Sequence, residues 1–266
     1  MKCCDIMELL DRLAPACLAC GWDNPGLLAG RSRKEVRKLL LTVDVDDETV
    51  KRAIEGGADM IISHHPLIFK AIKRVTDEDF IGRRLVSMLQ ADICCFAMHT
   101  NYDAAPGCMA DIAAGRLGIA GGRLLEETGE ENGAVAGIGK VGELAEPVCG
   151  PELAVRVREA FHLPRVLVYG EELYKKEPVT TAAVCPGSGG SVIEAAIKAG
   201  AQALVTGDIS HHEGIDAAAR GLMIIDAGHY GLEHVFMDHV EGWLAGQLPA
   251  GVEIEKMPVR FPTAVV

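Results

Sequence analysis

The chain has 266 residues, 49% of them hydrophobic and 24% charged, which is enough for one large domain or two smaller ones with a core that needs no staples. This composition excludes a disordered, collagen-like or repeat-linker protein. The 26 Lys and Arg against 38 Asp and Glu leave a formal charge of −12, which repels polyanions and argues against direct nucleic-acid binding.

No apolar run approaches the roughly 18 residues of a membrane span. Asp5, Glu8, Asp11 and Arg12 interrupt the N-terminal stretch where a signal peptide needs apolar residues. The sequence therefore predicts a cytoplasmic protein without membrane contact. Nine cysteines, an odd number scattered through a large chain, fit reduced thiols. Cys17-x-x-Cys20 has no second pair downstream and reads as packing rather than as zinc, because a structural zinc needs four ligands.

The hydrophobic pattern predicts a helix over 7–20, ended by the loop Gly21-Trp22-Asp23-Asn24-Pro25-Gly26. Leu39 to Val43 is a continuous apolar run, as in a strand buried on both faces. A helix over 46–57 follows, with Asp46 or Asp47 as its cap and Gly56-Gly57 as its stop. A strand over 59–62, a helix over 78–90 and a strand over 93–98 complete an alternating pattern that calls for a parallel sheet with helices on its faces.

The pattern returns with strands over 182–185, 203–205 and 222–226 and helices over 191–199 and 214–220. Ala53-Ile54-x-x-Gly57-Ala58 aligns with Ala196-Ile197-x-x-Gly200-Ala201 at an offset of 143 positions, and His99-x-x-x-Asp103 with His229-x-x-x-Glu233 at an offset of 130. The expectation is an α/β protein of two similar, intertwined three-layer α/β/α domains that arose by internal duplication. Residues 1–125 form the first half, 126–178 an inserted β-rich linking section with an acidic run over 126–132, and 179–266 the second half.

Eight of the nine histidines fall at predicted C-terminal strand ends or in the loops and helices just after them. Open α/β sheets bind ligands at those ends. Ser63-His64-His65-Pro66, His99-Thr100-Asn101-Tyr102-Asp103, Asp208 with His211 and His212, and His229 with Glu233 each bring imidazole or carboxylate there. Such donors suit Zn, Mn, Fe, Co or Ni without choosing among them. Their number exceeds what one ion needs and favours two, since a two-ion site takes six or more donors including a bridging carboxylate. Gly187-Ser188-Gly189-Gly190-Ser191 lies between a strand and a helix, where backbone N–H groups could hold a phosphate, but it has no P-loop lysine.

Trp22-Asp23-Asn24-x-Gly26-Leu27, Ser63-His64-His65-Pro66, His99-Thr100-Asn101-x-Asp103, Gly207-Asp208-x-x-x-His212 and Asp226-x-Gly228-His229-Tyr230-x-x-Glu233 resemble the consecutive signatures of the Nif-three-like (YbgI-type) family of dinuclear metal proteins, whose members are often labelled type-2 GTP cyclohydrolase I homologues. The likeness also takes in Gly137-x-Gly139-x-x-Gly142 and Gly187-Ser188-Gly189 and runs over nearly the whole chain. It implies two divalent transition-metal ions per chain held by His64, His65, Asp103, His229 and Glu233, with His99 and Asp208 close by, and a homo-hexameric ring with the metal sites facing its cavity. Leu232 stands where the family usually has Ser or Thr, and Lys140 where it often has Arg.

The leading functional expectation is a metal-dependent hydrolase acting on a small molecule that carries a phosphate or a purine ring, with His99, Asp208 or His212 moving the proton. The alternative is a metal-binding, delivery or regulatory protein without turnover. The two differ in whether the centre keeps an open coordination position.

Overall fold

The computed structural model describes residues 1–131, 133–264 and 266. In chain order the elements are α1 (Cys3–Leu13), β1 (Gly26–Ala29), β2 (Lys38–Thr42), α2 (Asp47–Glu55), β3 (Met60–Ser63), α3 (Phe80–Gln90), β4 (Cys94–Ala97), α4 (Thr100–Ala104), α5 (Met109–Arg116), β5 (Ile119–Glu131), β6 (Ala134–Cys149), α6 (Gly150–Ala160), β7 (Leu167–Tyr169), β8 (Pro178–Ser188), α7 (Ile193–Lys198), β9 (Ala203–Gly207), α8 (His211–Ala219), β10 (Met223–Asp226), α9 (His229–Glu233), α10 (Val235–Ala245) and β11 (Glu253–Lys256). The chain divides into two compact units. Unit 1 comprises 1–105 and 236–259, and unit 2 comprises 106–235 and 260–266.

Unit 1 holds a sheet of order β1-β4-β3-β2-β11 in which β2, β3, β4 and β11 run parallel and β1 antiparallel. Leu39, Leu40, Leu41, Met60, Ile61 and Ile62 are buried, as expected of parallel strands covered on both faces. Each such side chain withdrawn from water contributes about 1.5–3 kcal/mol. The α2 helix connects β2 to β3, and its first turn is closed by Asp46, whose carboxylate accepts the Thr49 N–H at 2.7 Å.

Unit 2 repeats this plan within a different frame. Its sheet has the order β5-β6-β8-β9-β10-β7, with β8, β9 and β10 parallel and β7 an antiparallel edge. In each unit three parallel strands alternate with two helices, an antiparallel strand closes one edge, and a short helix follows the last parallel strand: α4 after β4 and α9 after β10. The protein is therefore mixed α/β with two sheets, and the sequence offset of 143 that pairs Ala53 with Ala196 also lays β3 onto β9 and His65 onto Asp208. The units differ on the far side of the repeated strands, where unit 1 adds the parallel β11 and unit 2 the long β5–β6 hairpin.

Several boundaries differ from the sequence expectation, such as β8 over Pro178–Ser188 against the expected 182–185. The first helix ends at Leu13 because Pro15 has no N–H to donate and drives Ala14 out of the helical region, to φ −143° and ψ 88°. The α8 helix starts at His211, ahead of the expected Gly214, because Ser210 and Glu213 form a capping box in which the Glu213 carboxylate accepts the Ser210 N–H at 2.9 Å. The acidic run expected as a linker lies in β5 up to Glu131, while Asn132 lies outside the described residues. Among the described residues no helix is long and apolar enough to cross a membrane.

Asp59 ties the start of β3 to its neighbours. Its carboxylate accepts the backbone N–H groups of Arg37 at 2.8 Å and Lys38 at 3.2 Å and lies 3.0 Å from the Lys34 ammonium. Burial raises its pKa, but these partners outweigh burial and hold the carboxyl below its ordinary range. A depressed folded-state pKa means stability that is present above the unfolded value and lost as pH falls through the folded one. Asp59→Asn is expected to lower stability at pH 7 by about 1–2 kcal/mol. Urea unfolding should show the gap between variant and wild type closing as the pH drops through and below the carboxylate range of about 4.

Candidate metal centre

The candidate residues of unit 1 gather at the C-terminal ends of β3 and β4. His64 and His65 follow β3 directly, and His99 precedes α4 just past β4. The ring centroids of His64 and His65 lie 4.9 Å apart, those of His64 and His99 5.4 Å, and those of His65 and His99 5.5 Å. Asp103, one turn into α4, brings a carboxylate oxygen to 3.6 Å from His64 Nε2.

Each ring is held by its Nδ1. In His64, which is fully buried, Nδ1 donates to the Met98 carbonyl at 2.8 Å. The His65 Nδ1 donates to Asp44 at 2.8 Å and the His99 Nδ1 to Asp23 at 2.7 Å. A carbonyl or carboxylate oxygen only accepts, so Nδ1 carries a proton in all three.

Asp23 also organises the helix that carries Asp103. Its carboxylate accepts the Thr100 N–H at 3.0 Å and the Thr100 hydroxyl at 2.6 Å, at the first turn of α4, where the helix dipole favours negative charge. Burial pushes the Asp23 carboxyl up, yet the bonds from His99 and Thr100 prevail and hold it well below the usual carboxylate range. Trp22 and Phe69, both exposed, meet edge to face beside the His99 ring.

Unit 2 presents a second set by the same device. The His229 Nδ1 donates to Asp208 at 2.8 Å, and its Nε2 lies 3.2 Å from Glu233, one turn further along α9. Asp208 takes a left-handed conformation, φ 57°, at the turn after β9, a geometry that Asp tolerates better than most residues. Asp226 accepts the N–H groups of Ile209 at 3.0 Å and Gly228 at 2.8 Å and so fixes both loops that carry Asp208 and His229.

Gly187 faces these groups. Its φ is +81°, and a Cβ there would sit 2.8 Å from a Glu233 carboxylate oxygen. The glycine run is thus explained by close approach to the site, and Gly190 packs against the Glu213 carboxylate, an anion already supplied by the chain.

Among the residues expected from sequence, His64, His65, His99 and Asp103 meet in unit 1, and Asp208, His229 and Glu233 meet in unit 2. Donors able to hold a metal ion include His64, His65 and Glu233. His212 is exposed on α8 with its ring against His211, 5.2 Å between centroids. No hydrogen bond or ion pair joins it to His229 or Asp208 among the described residues. Leu232 is fully buried, and Lys140 pairs with Asp111 at 2.9 Å. Asp44 and Asp23, the carboxylates that orient His65 and His99, were not expected as such. The signal for Asp44 was its place two residues past the strand beside β3.

A family model described as Duf34/NIF3 (NGG1p interacting factor 3) matches residues 1–262. The chain belongs to the NIF3 family. It is 31% identical over 253 residues to a Clostridium perfringens protein named GTP cyclohydrolase 1 type 2 homolog, covering 95% of each chain. A hypothetical protein of Staphylococcus aureus, SA1388, superposes with a TM-score of 0.88 at 27% identity, over 100% of this chain and 99% of that one. Reduced HcgD from Methanocaldococcus jannaschii superposes with a TM-score of 0.81 at 28% identity, over 96% of this NIF3-family chain and 97% of its own.

If Asp208 sets the His229 ring, Asp208→Gly should change the tautomer without disturbing the fold, since its side chain is exposed and glycine takes the left-handed conformation freely. Nitrogen-15 NMR of the metal-stripped protein should show His229 protonated on Nδ1 in the wild type and a growing Nε2–H population in the variant. An unchanged His229 spectrum would contradict the assignment.

Proposed function

We propose that this NIF3-family chain is a dinuclear metal-dependent hydrolase in which His64, His65, Asp103, His229 and Glu233 hold two divalent transition-metal ions. One observation carries the reading: His64, His65, His99 and His229 all donate from Nδ1 to a fixed acceptor, which leaves Nε2 as the ring nitrogen each would offer to a metal. His64 and His65 of unit 1 and Glu233 of unit 2 each offer an atom suited to ligate a metal ion. Neutral imidazole together with carboxylate is a donor set for Zn, Mn, Fe, Co or Ni, and Asp103 and Glu233, one from each repeat, are the carboxylates assigned to both ions.

Ions held there supply Lewis acidity that makes water a source of hydroxide near neutral pH. The protein residues then have separate tasks. Asp44, Asp208 and the Met98 carbonyl keep His65, His229 and His64 in the ligating tautomer. His99, fixed by Asp23 beside the other two imidazoles of unit 1, is placed to take the proton from the attacking water and return it to the leaving group. Asp208 is a positioning residue in this scheme, and His212 has no step in it.

The substrate is a small molecule whose scissile bond is a phosphoester or lies in a purine ring. The second class is suggested by the name carried by the C. perfringens relative. The family resemblance also carries a cytoplasmic homo-hexamer, and that assembly is part of the proposal.

The test is a hydrolysis screen of phosphomonoesters, phosphodiesters and purine nucleotides with the metal-loaded protein. Turnover should vanish on chelation and return with metal. His99→Ala should lower kcat by roughly 100-fold or more while leaving metal content intact. Turnover that survives both chelation and Glu233→Ala would falsify the hydrolase reading.

A further inference from the structure

Unit 2 contains a cavity of about 190 Å³ that opens beside His229 and Asp208. Arg165 lines it, together with Asp226, Tyr230 and Phe261. Its position follows from the sheet: β7 is antiparallel to β10 and pairs Leu167 with Asp226, so the residues entering β7 lie beyond the C-terminal end of β10, at the same end as His229.

Arg165 differs from most arginines of this chain. Arg31, Arg52, Arg84, Arg156 and Arg220 all engage carboxylates between 2.6 and 3.2 Å. No hydrogen bond or ion pair engages Arg165 among the described residues, although two aspartates line the same cavity. Those two carboxylates are committed elsewhere, Asp208 to His229 and Asp226 to the N–H groups of Ile209 and Gly228. The acids of the cavity are used by the protein, and its guanidinium is available to a ligand.

The same cavity also has apolar lining. Tyr230 and Phe261 meet edge to face with ring centroids 5.9 Å apart, and the Arg260 N–H donates to the Tyr230 hydroxyl at 3.3 Å, which links the C-terminal segment to α9. A small ligand with an oxyanion at one end and an apolar body fits both surfaces, because guanidinium pairs with phosphate or carboxylate through two parallel N–H bonds.

We infer that this cavity is the substrate pocket of the second repeat, and that Arg165 binds the oxyanion of a small phosphate- or carboxylate-bearing molecule beside His229. The inference rests on the hydrolase reading in one respect, that the bound molecule is the substrate of the same centre. The pocket lies within one unit, so it can be tested without metal.

Phenylphosphonate and benzoate, a phosphate-like and a carboxylate probe with the same apolar ring, should be titrated into the metal-stripped full chain while the His229 ring resonances are followed. At least one probe should bind and shift them, and the tighter one tells which oxyanion the pocket takes. Arg165→Ala should weaken that binding tenfold or more. Arg165→Lys, which keeps the charge but loses the fork, should weaken it several-fold, and circular dichroism should match wild type in both. Failure of both probes to shift His229, or equal binding to Arg165→Ala, would overturn the inference. Loss of metal binding with retained phenylphosphonate binding would instead count against the metal centre alone.

Discussion

A neutral imidazole has one nitrogen to give and one to keep, and in this protein the choice is made four times by an acceptor at the end of a strand. Three of those acceptors are carboxylates, Asp44, Asp23 and Asp208, and the fourth is the Met98 carbonyl. Each bond fixes the plane of a ring and leaves Nε2 as the nitrogen it would offer to a metal. Everything else at the candidate centre depends on this. Asp23 shows the cost of such an arrangement, since a buried carboxylate is tolerable only because His99, Thr100 and the first turn of α4 all donate to it or offset its charge.

The fold supplies the acceptors by repetition. In each unit the third of the repeated parallel strands leads into a short helix with a histidine at its first residue or its cap and a carboxylate four residues on, His99 to Asp103 and His229 to Glu233. The repeats have diverged where the chemistry is asymmetric. His65 of unit 1 corresponds in sequence to Asp208 of unit 2, a ring in one and the carboxylate that holds a ring in the other. Gly187 has no side chain where Glu233 needs the space. Arg165, Tyr230 and Phe261 belong to unit 2 and line a cavity beside its His-x-x-x-acid pair.

The parallel strands were readable from sequence because burial on both faces leaves continuous apolar runs, as in Leu39-Leu40-Leu41 and Ile61-Ile62, and these admit little else. The ligand-type residues were readable because four separate loops each bring imidazole or carboxylate to strand ends, which a single histidine would not signify. Pro15 and the Ser210-x-x-Glu213 pair were legible local signals that a reading of hydrophobic period alone passes over. Asp23 and Asp44 are a different matter. Their partners lie 76 and 21 positions away, and only the pairing of strands makes them neighbours. The uncommitted state of Arg165 likewise depends on where every nearby carboxylate turns, which no local pattern encodes.

The central claim is that aimed imidazoles and the two carboxylates of the repeats together make a two-ion centre. The most direct test is metal content per chain, by elemental analysis of the wild type, Asp103→Ala and Glu233→Ala after loading and desalting. The account predicts about two transition-metal ions per wild-type chain and a loss in both variants, with the fold retained by circular dichroism. Less than one ion per wild-type chain, or a content that neither substitution changes, would contradict it.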